Sequence, residues 1–150
     1  MRVTVSTIVA KPAETLFWLS QNYGRRLEWD TFLVEAYLLG GQTSAAVGVE
    51  SYCKSKSGSE LVSRYISFSP PTHTAVDMTR GPWILHSFSG TWRFRPMESG
   101  RTEVRFIYNF KSRPAFLRLV MEPLIAALYR RDMRRRLSAF KAWVESMETA

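Results

Sequence analysis

His86 is the residue of this chain best placed by its type and neighbours to do chemistry. It lies in ILHSFSGTWRF, where strand alternation sets Ile84, His86, Phe88, Gly90, Trp92 and Phe94 on one face. A neutral imidazole among aromatic rings can act as a general base or hydrogen-bond a ligand. A histidine satisfied by a backbone carbonyl, or by Tyr108, fits the position equally well. No second member of a catalytic pair is identifiable, so His86 stands alone as the catalytic candidate. The following stretch, TEVRFIYNFKS, groups Val104, Phe106, Tyr108 and Phe110 against Glu103, Arg105, Ile107, Asn109 and Lys111. The aromatic sets must turn inward, because the opposite choice buries arginine and glutamate without partners.

Other chemistries find less support. Two histidines far apart and one cysteine give no metal-ligand spacing, so no metal is expected. Cys53, with no histidine close in sequence, reads as a buried structural thiol and not a nucleophile. Gly40-Gly41 lacks the lysine and serine of a phosphate loop, and no cofactor is expected. His73, beside Pro70-Pro71-Thr72, reads as a turn residue. Arg80, in the turn Arg80-Gly81-Pro82-Trp83, could meet a ligand carboxylate, although a solvated turn arginine is the commoner case.

The elements that must hold these residues follow from periodicity. The 150 residues suit one domain, 1–150, large enough to bury its own core. RVTVSTIVA alternates as a strand and ends at Lys11-Pro12, where proline suits a first helical turn. PAETLFWLS is a short amphipathic helix, and QNYGRRLEWD a second, interrupted helical piece. Six strands follow: FLVEAYLLG, VGVESYCKS, ELVSRYISFS, HTAVDMT, WILHSFSGTWRFRP and TEVRFIYNFKS, separated by Gly- and Pro-bearing turns. Short turns between consecutive strands imply an antiparallel meander. On the fourth of these seven strands the inner face is ambiguous, and Tyr65 is placed inside because the alternative buries Arg64. On the fifth, Thr74, Val76 and Met78 make the better inner face. From Pro114 the chain is helical to its end.

This order resembles the START-like, polyketide-cyclase or birch-pollen-allergen superfamily (SRPBCC) with its helix-grip fold. VSTIVAKPAETLFWLSQN is similar to the superfamily's opening strand and proline-led helix, and Trp29 in LEWD falls where a tryptophan commonly closes the second helix. SGTWRFRPMESGRTEVRFIYNF resembles its paired late strands, and RRDMRRRLSAFKAWVE its terminal helix. The resemblance implies an α+β fold in which a curved antiparallel seven-stranded sheet wraps around a long C-terminal helix, with two short helices after strand one. It also implies a cavity between sheet and helix. Within such a cavity the candidate ligand contacts are Tyr65, Met78, His86, Phe88, Trp92, Phe106, Tyr108 and Phe110, though each aromatic would serve as plain core too.

The terminal helix carries two apolar stripes. Ala126, Tyr129, Met133, Leu137, Phe140, Val144 and Met147, extended back to Leu119, lie on one side at about 100° per residue and should pack on the sheet. Arg130, Arg131, Arg134, Arg135 and Lys141 lie off that stripe and read as a solvated face, with Arg136 nearer its edge. Leu117, Met121, Leu124, Ile125 and Leu128 form a second stripe on roughly the opposite side. One stripe should cover the cavity and the other pack on the short helices, a second subunit or lipid, and Leu124 and Leu128 join the candidate ligand contacts.

The expected function is binding or transport of a hydrophobic or aromatic small molecule, lipid- or polyketide-like. The alternative is a polyketide cyclase or dehydrase using His86 as acid and base. A third reading, prompted by the net charge of +8, is a basic module for anionic membrane or nucleic acid. Nucleic acid is disfavoured, because the aromatics lie inside and not between exposed arginines. A homodimer and an anionic membrane surface remain as partners. The lone cysteine and the absence of a span of roughly 18–20 apolar residues fit a cytoplasmic location.

Overall fold

The computed structural model describes residues 1–147. Seven strands form one antiparallel sheet: β1 (Arg2–Val9), β2 (Leu33–Leu38), β3 (Glu50–Ser55), β4 (Glu60–Ser69), β5 (His73–Arg80), β6 (Leu85–Pro96) and β7 (Thr102–Ser112). Their order across the sheet is β1-β7-β6-β5-β4-β3-β2, a meander from β2 to β7 closed by β1 on the far edge. Helix α1 (Ala13–Ser20) and a 3₁₀ segment (Tyr23–Glu28) fill the connection from β1 to β2, and α2 (Arg118–Glu145) crosses the concave face. This is the expected α+β helix-grip arrangement.

The two longest strands show why the sheet has one greasy side. Phe88, Trp92 and Phe94 alternate inward on β6 and pair in register with Phe110, Phe106 and Val104 of β7. Their outward neighbours include Arg93, Arg95 and Arg105, which stay in water. Trp92 stacks on Phe106 with centroids 4.6 Å apart, and Trp29 meets Phe140 edge to face at 4.9 Å.

Helix α2 meets this face with Ala126, Met133, Leu137, Phe140 and Val144, all buried. Polar clamps hold both of its ends. Glu122 Oε1 accepts the Ser112 N–H at 3.0 Å, and Arg118 Nε donates to the Ser112 carbonyl at 2.8 Å. At the other end Glu145 Oε2 accepts the Ala10 N–H at 3.0 Å, and Lys141 donates to the Ile8 carbonyl. Pro123 lies inside the helix, not at its start.

Of the surfaces expected for the second stripe, the short helices are not the one it meets: Leu124 is 64% exposed and Leu128 59%, while α2 packs mainly on β1 and β7 through its other side. The stripe that does pack also stops short of Leu119, which is 94% exposed.

Candidate ligand cavity

Between α2 and the sheet lies a cavity of about 180 Å³. Its apolar wall is built from Leu61, Val76, Leu85, Phe88, Trp92 and Phe106, and its polar wall from Tyr23, Arg26, Ser51, Ser63, Tyr65 and Arg136. The serines arise from strand alternation: Ser51, Cys53 and Ser55 of β3 point the same way, and Ser51 pairs with Ser63 of β4. Tyr65 also faces inward, beside Ser63.

A buried ion cluster anchors the polar wall. At the end of the 3₁₀ segment an i,i+4 turn, closed by the Asp30 N–H to Arg26 carbonyl bond of 3.0 Å, sets Arg26 and Asp30 side by side. Arg26 Nε donates to Asp30 Oδ2 at 2.8 Å. From α2, Arg136 reaches the same carboxylate, with Nε on Oδ1 at 3.0 Å and Nη2 on Oδ2 at 2.9 Å. Asp30 Oδ1 takes a further bond from the Phe32 N–H at 3.1 Å. Arg136 Nη1 donates to the Tyr108 hydroxyl, and its guanidinium lies 5.3 Å from the centre of the Phe106 ring. Both arginines are only 6% exposed and Asp30 only 3%.

Burial by itself would raise the Asp30 carboxyl, but the Arg136 and Arg26 guanidiniums outweigh it and hold the group well below the usual carboxylate range. Burial pushes the phenols of Tyr23, Tyr65, Tyr108 and Tyr129 up, and the Cys53 thiol up as well. The cavity wall therefore holds permanent guanidinium charge and neutral hydroxyls and thiol at pH 7. It presents binding groups, and none of these shifts poises a wall group for proton transfer near neutrality.

A second polar chain has a fixed direction. The Tyr65 hydroxyl donates to Gln21 Oε1 at 2.6 Å, so at the 3.1 Å contact between the Tyr23 and Tyr65 hydroxyls Tyr23 is the donor. Gln21 Nε2 continues to Ser20 Oγ at 2.9 Å, which donates to the Phe17 carbonyl at 2.8 Å. The chain ends on backbone and braces the wall.

Among the residues expected from sequence, Tyr65, Phe88, Trp92, Phe106 and Tyr108 line this cavity. Met78 and Phe110 do not; they pack at its edge, facing a shallow groove on the other side that also touches His86. His86 itself is exposed, which corrects its inward placement. The ladder between β6 and β7 slips between Leu85 and Ser87, so Leu85 turns into the cavity and His86 turns out. Leu124 and Leu128 are likewise corrected: they sit across the helix axis from Ala126 and Met133 and touch solvent.

Asp30, Arg26 and Arg136 are the residues that sequence reasoning missed. A faint signal exists: Arg26 and Asp30 are an i,i+4 pair of opposite charge, and Arg136 adjoins Leu137 at the margin of the apolar stripe. Among the described residues no cluster of metal-ligating side chains occurs, and no helix is long and apolar enough to cross a membrane.

The family model for polyketide cyclase / dehydrase and lipid transport matches residues 1–145. Comparison with curated proteins found no match. Similar solved structures include a START superfamily protein from Mycobacterium smegmatis, 11% identical, with TM-score 0.81 over 98% of this chain and 99% of that one. The Zhui aromatase/cyclase from Streptomyces sp. R1128 is 18% identical, with TM-score 0.77 over 97% and 93%. XoxI from Bacillus cereus is 14% identical, with TM-score 0.80 over 99% of both chains. At such identities these structures share its fold; the family match goes further, and by it the chain belongs to the polyketide cyclase / dehydrase and lipid transport family.

Proposed function

We propose that this protein binds a hydrophobic or aromatic small molecule in the cavity between the sheet and α2. The observation that carries the reading is the make-up of the wall: an aromatic and aliphatic surface facing a side of hydroxyls and two guanidiniums. That is how small-molecule sites are usually built, apolar area supplying affinity at about 25 cal/mol per Å² buried and polar groups setting orientation. The volume of about 180 Å³ limits the occupant. A cavity on the order of 150 Å³ is known to take benzene, so a single ring or a short chain fits these walls as they stand, and a larger lipid or polyketide needs them to part.

A cyclase-type enzyme is the second reading, favoured by the family's description and by the shared fold with an aromatase/cyclase. In that case the walls would hold a reactive chain in shape, with Arg136 and the tyrosines as polar contacts, since His86 faces solvent.

Native mass spectrometry of the purified protein, sprayed with and without denaturant, tests the binding reading. A co-purified small molecule is expected in the wild type and should be lost in Ser63→Leu, which fills the wall beside Tyr65. A wild type that carries nothing, and whose melting temperature no apolar compound raises, overturns it.

A further inference from the structure

We infer that the ligand is an organic anion: a carboxylate on an apolar body of about one ring or a short acyl chain, its head held by Arg26 and the Tyr108 hydroxyl. This rests on the binding reading above and adds the charge of the ligand to it.

The charge balance of the wall motivates the inference. Two guanidiniums line the cavity, Arg26 and Arg136, against the single carboxylate of Asp30 behind them. No other acidic side chain lines the cavity among the described residues. The wall therefore carries one uncompensated positive charge in a setting where burial makes unpaired charge costly.

Donor arithmetic locates where that charge is available. Asp30 already accepts four hydrogen bonds, from Arg136 Nε and the Phe32 N–H on Oδ1 and from Arg26 Nε and Arg136 Nη2 on Oδ2. A carboxylate has about four acceptor positions, so Asp30 is saturated. Arg136 spends Nε and Nη2 on Asp30 and Nη1 on Tyr108. Arg26 spends only Nε, and among the described residues its two Nη groups have no hydrogen-bond partner. Tyr108 accepts from Arg136, which leaves its own O–H free to donate. Tyr23 is different, because its proton is committed to Tyr65. The unspent donors on this wall are thus a planar guanidinium fork, the Tyr108 hydroxyl and the hydroxyls of Ser51, Ser63, Thr74 and Tyr129, and among them only the fork is charged. A fork of two parallel N–H groups matches the two oxygens of a carboxylate.

The outside of the molecule agrees. Phe32 and Arg136 line the cavity on one side and, on the other, an open surface groove with Lys56, Arg134 and Arg135, where Asp132 is the one acidic residue. A basic groove separated from the cavity by a single layer of side chains favours approach of an anion.

The test is calorimetric titration at pH 7.5 with matched pairs: benzoate and phenylacetate against benzamide and phenylacetamide, and hexanoate to decanoate against their amides. The best acid should bind about tenfold or more tightly than its amide, the gain expected of hydrogen bonds to a charged group. In Arg26→Gln that preference should fall to near unity with the amide's affinity kept. Tyr108→Phe, which leaves the ion cluster in place, should weaken the acid several-fold and the amide not at all. Acid and amide binding alike to the wild type would overturn the charge inference while leaving the binding reading intact; the wild-type comparison needs no variant to fold. If no member of either series binds, the charge inference falls, and the native mass spectrometry above decides the binding reading separately.

Discussion

Arg136 donates from Nε and Nη2 to the two oxygens of Asp30 across 106 residues of chain, and this fork ties the terminal helix to the segment that closes the cavity. The contact is structural and functional at once. It fixes α2 over the sheet, and it commits the Asp30 carboxylate fully, so that Arg26 keeps donors to spare. A buried pair of this kind adds little net stability compared with apolar packing, because desolvation offsets most of the attraction. It does make each partner hard to remove.

Removing Asp30 alone should therefore be severe. Asp30→Ala leaves two buried guanidiniums facing one another, and a loss of about 3–5 kcal/mol is expected, as for other broken buried pairs. Urea denaturation followed by tryptophan fluorescence measures it. The triple change Asp30→Leu, Arg26→Met, Arg136→Met removes the charges together and should cost much less, while abolishing any preference for acids. Equal losses in the single and triple variants would mean that the cluster's charge balance does not matter.

The same carboxylate sets the acid limb of stability. Its pKa in the folded chain lies below the unfolded value of about 3.9, so the stability it contributes is fully present above that pH and is lost as pH falls below it and on through the lower folded value. Urea midpoints should show no slope from Asp30 between pH 5 and 8 and a decline below about pH 4, and Asp30→Asn should flatten that decline. At the alkaline end the sign reverses. Burial raises the phenols of Tyr23, Tyr65, Tyr108 and Tyr129, so their contribution holds below the ordinary value of about 10 and is lost as pH rises through the folded values. Absorbance at the tyrosinate band should show these four ionising together with unfolding, not before it.

What can be read from the chain, and what cannot, divides along locality. Phe88, Trp92, Phe106 and Tyr108 are legible because period-two alternation is a local rule and their neighbours Arg93 and Arg105 forbid the opposite face. His86 is misread by the same rule, since one slipped pair in the ladder reverses the phase and no residue type announces it. On α2, periodicity gives a direction around the axis, which is right for Met133 and Phe140. It says nothing of where along the axis the sheet ends, and so Leu119 is misplaced. Arg136 looks like surface charge until Asp30 is brought to it. That pairing is a property of the fold and not of any window of sequence.

Gly90 and Gly81 offer opposite outcomes from one substitution. A Cβ on Gly90 would meet Tyr108 and Val76 at 3.6 Å, ordinary contact, on the cavity wall. Gly90→Ala should hold or raise stability by about 0.4–1 kcal/mol by stiffening the unfolded chain, and it should shrink the space left for a ligand. A Cβ on Gly81 would press into Met78 Sδ and come within 3.0 Å of Leu61 Cδ1. Gly81→Ala should cost about 1 kcal/mol, the low end for added bulk, because the flexible, half-buried Met78 side chain can swing aside. Thermal melts of both variants check the pair, and a destabilised Gly90→Ala would show that the cavity is filled more tightly than its walls indicate.

The two faces of α2 can be separated in the same way. Met133 is fully buried against the sheet, so Met133→Ala should cost about 2–5 kcal/mol in lost contacts and the void left behind. Leu124, 64% exposed, has little to lose. Leu124→Glu should change stability by no more than about 0.5 kcal/mol, and sedimentation should return the same mass for variant and wild type if the stripe around it is free in solution. A smaller mass for the variant would assign the stripe to contact between copies, with Leu124 near its centre. A large stability loss without a change of mass would instead mean that Leu124 packs within the chain, with the first half of α2 turned about its axis towards the sheet.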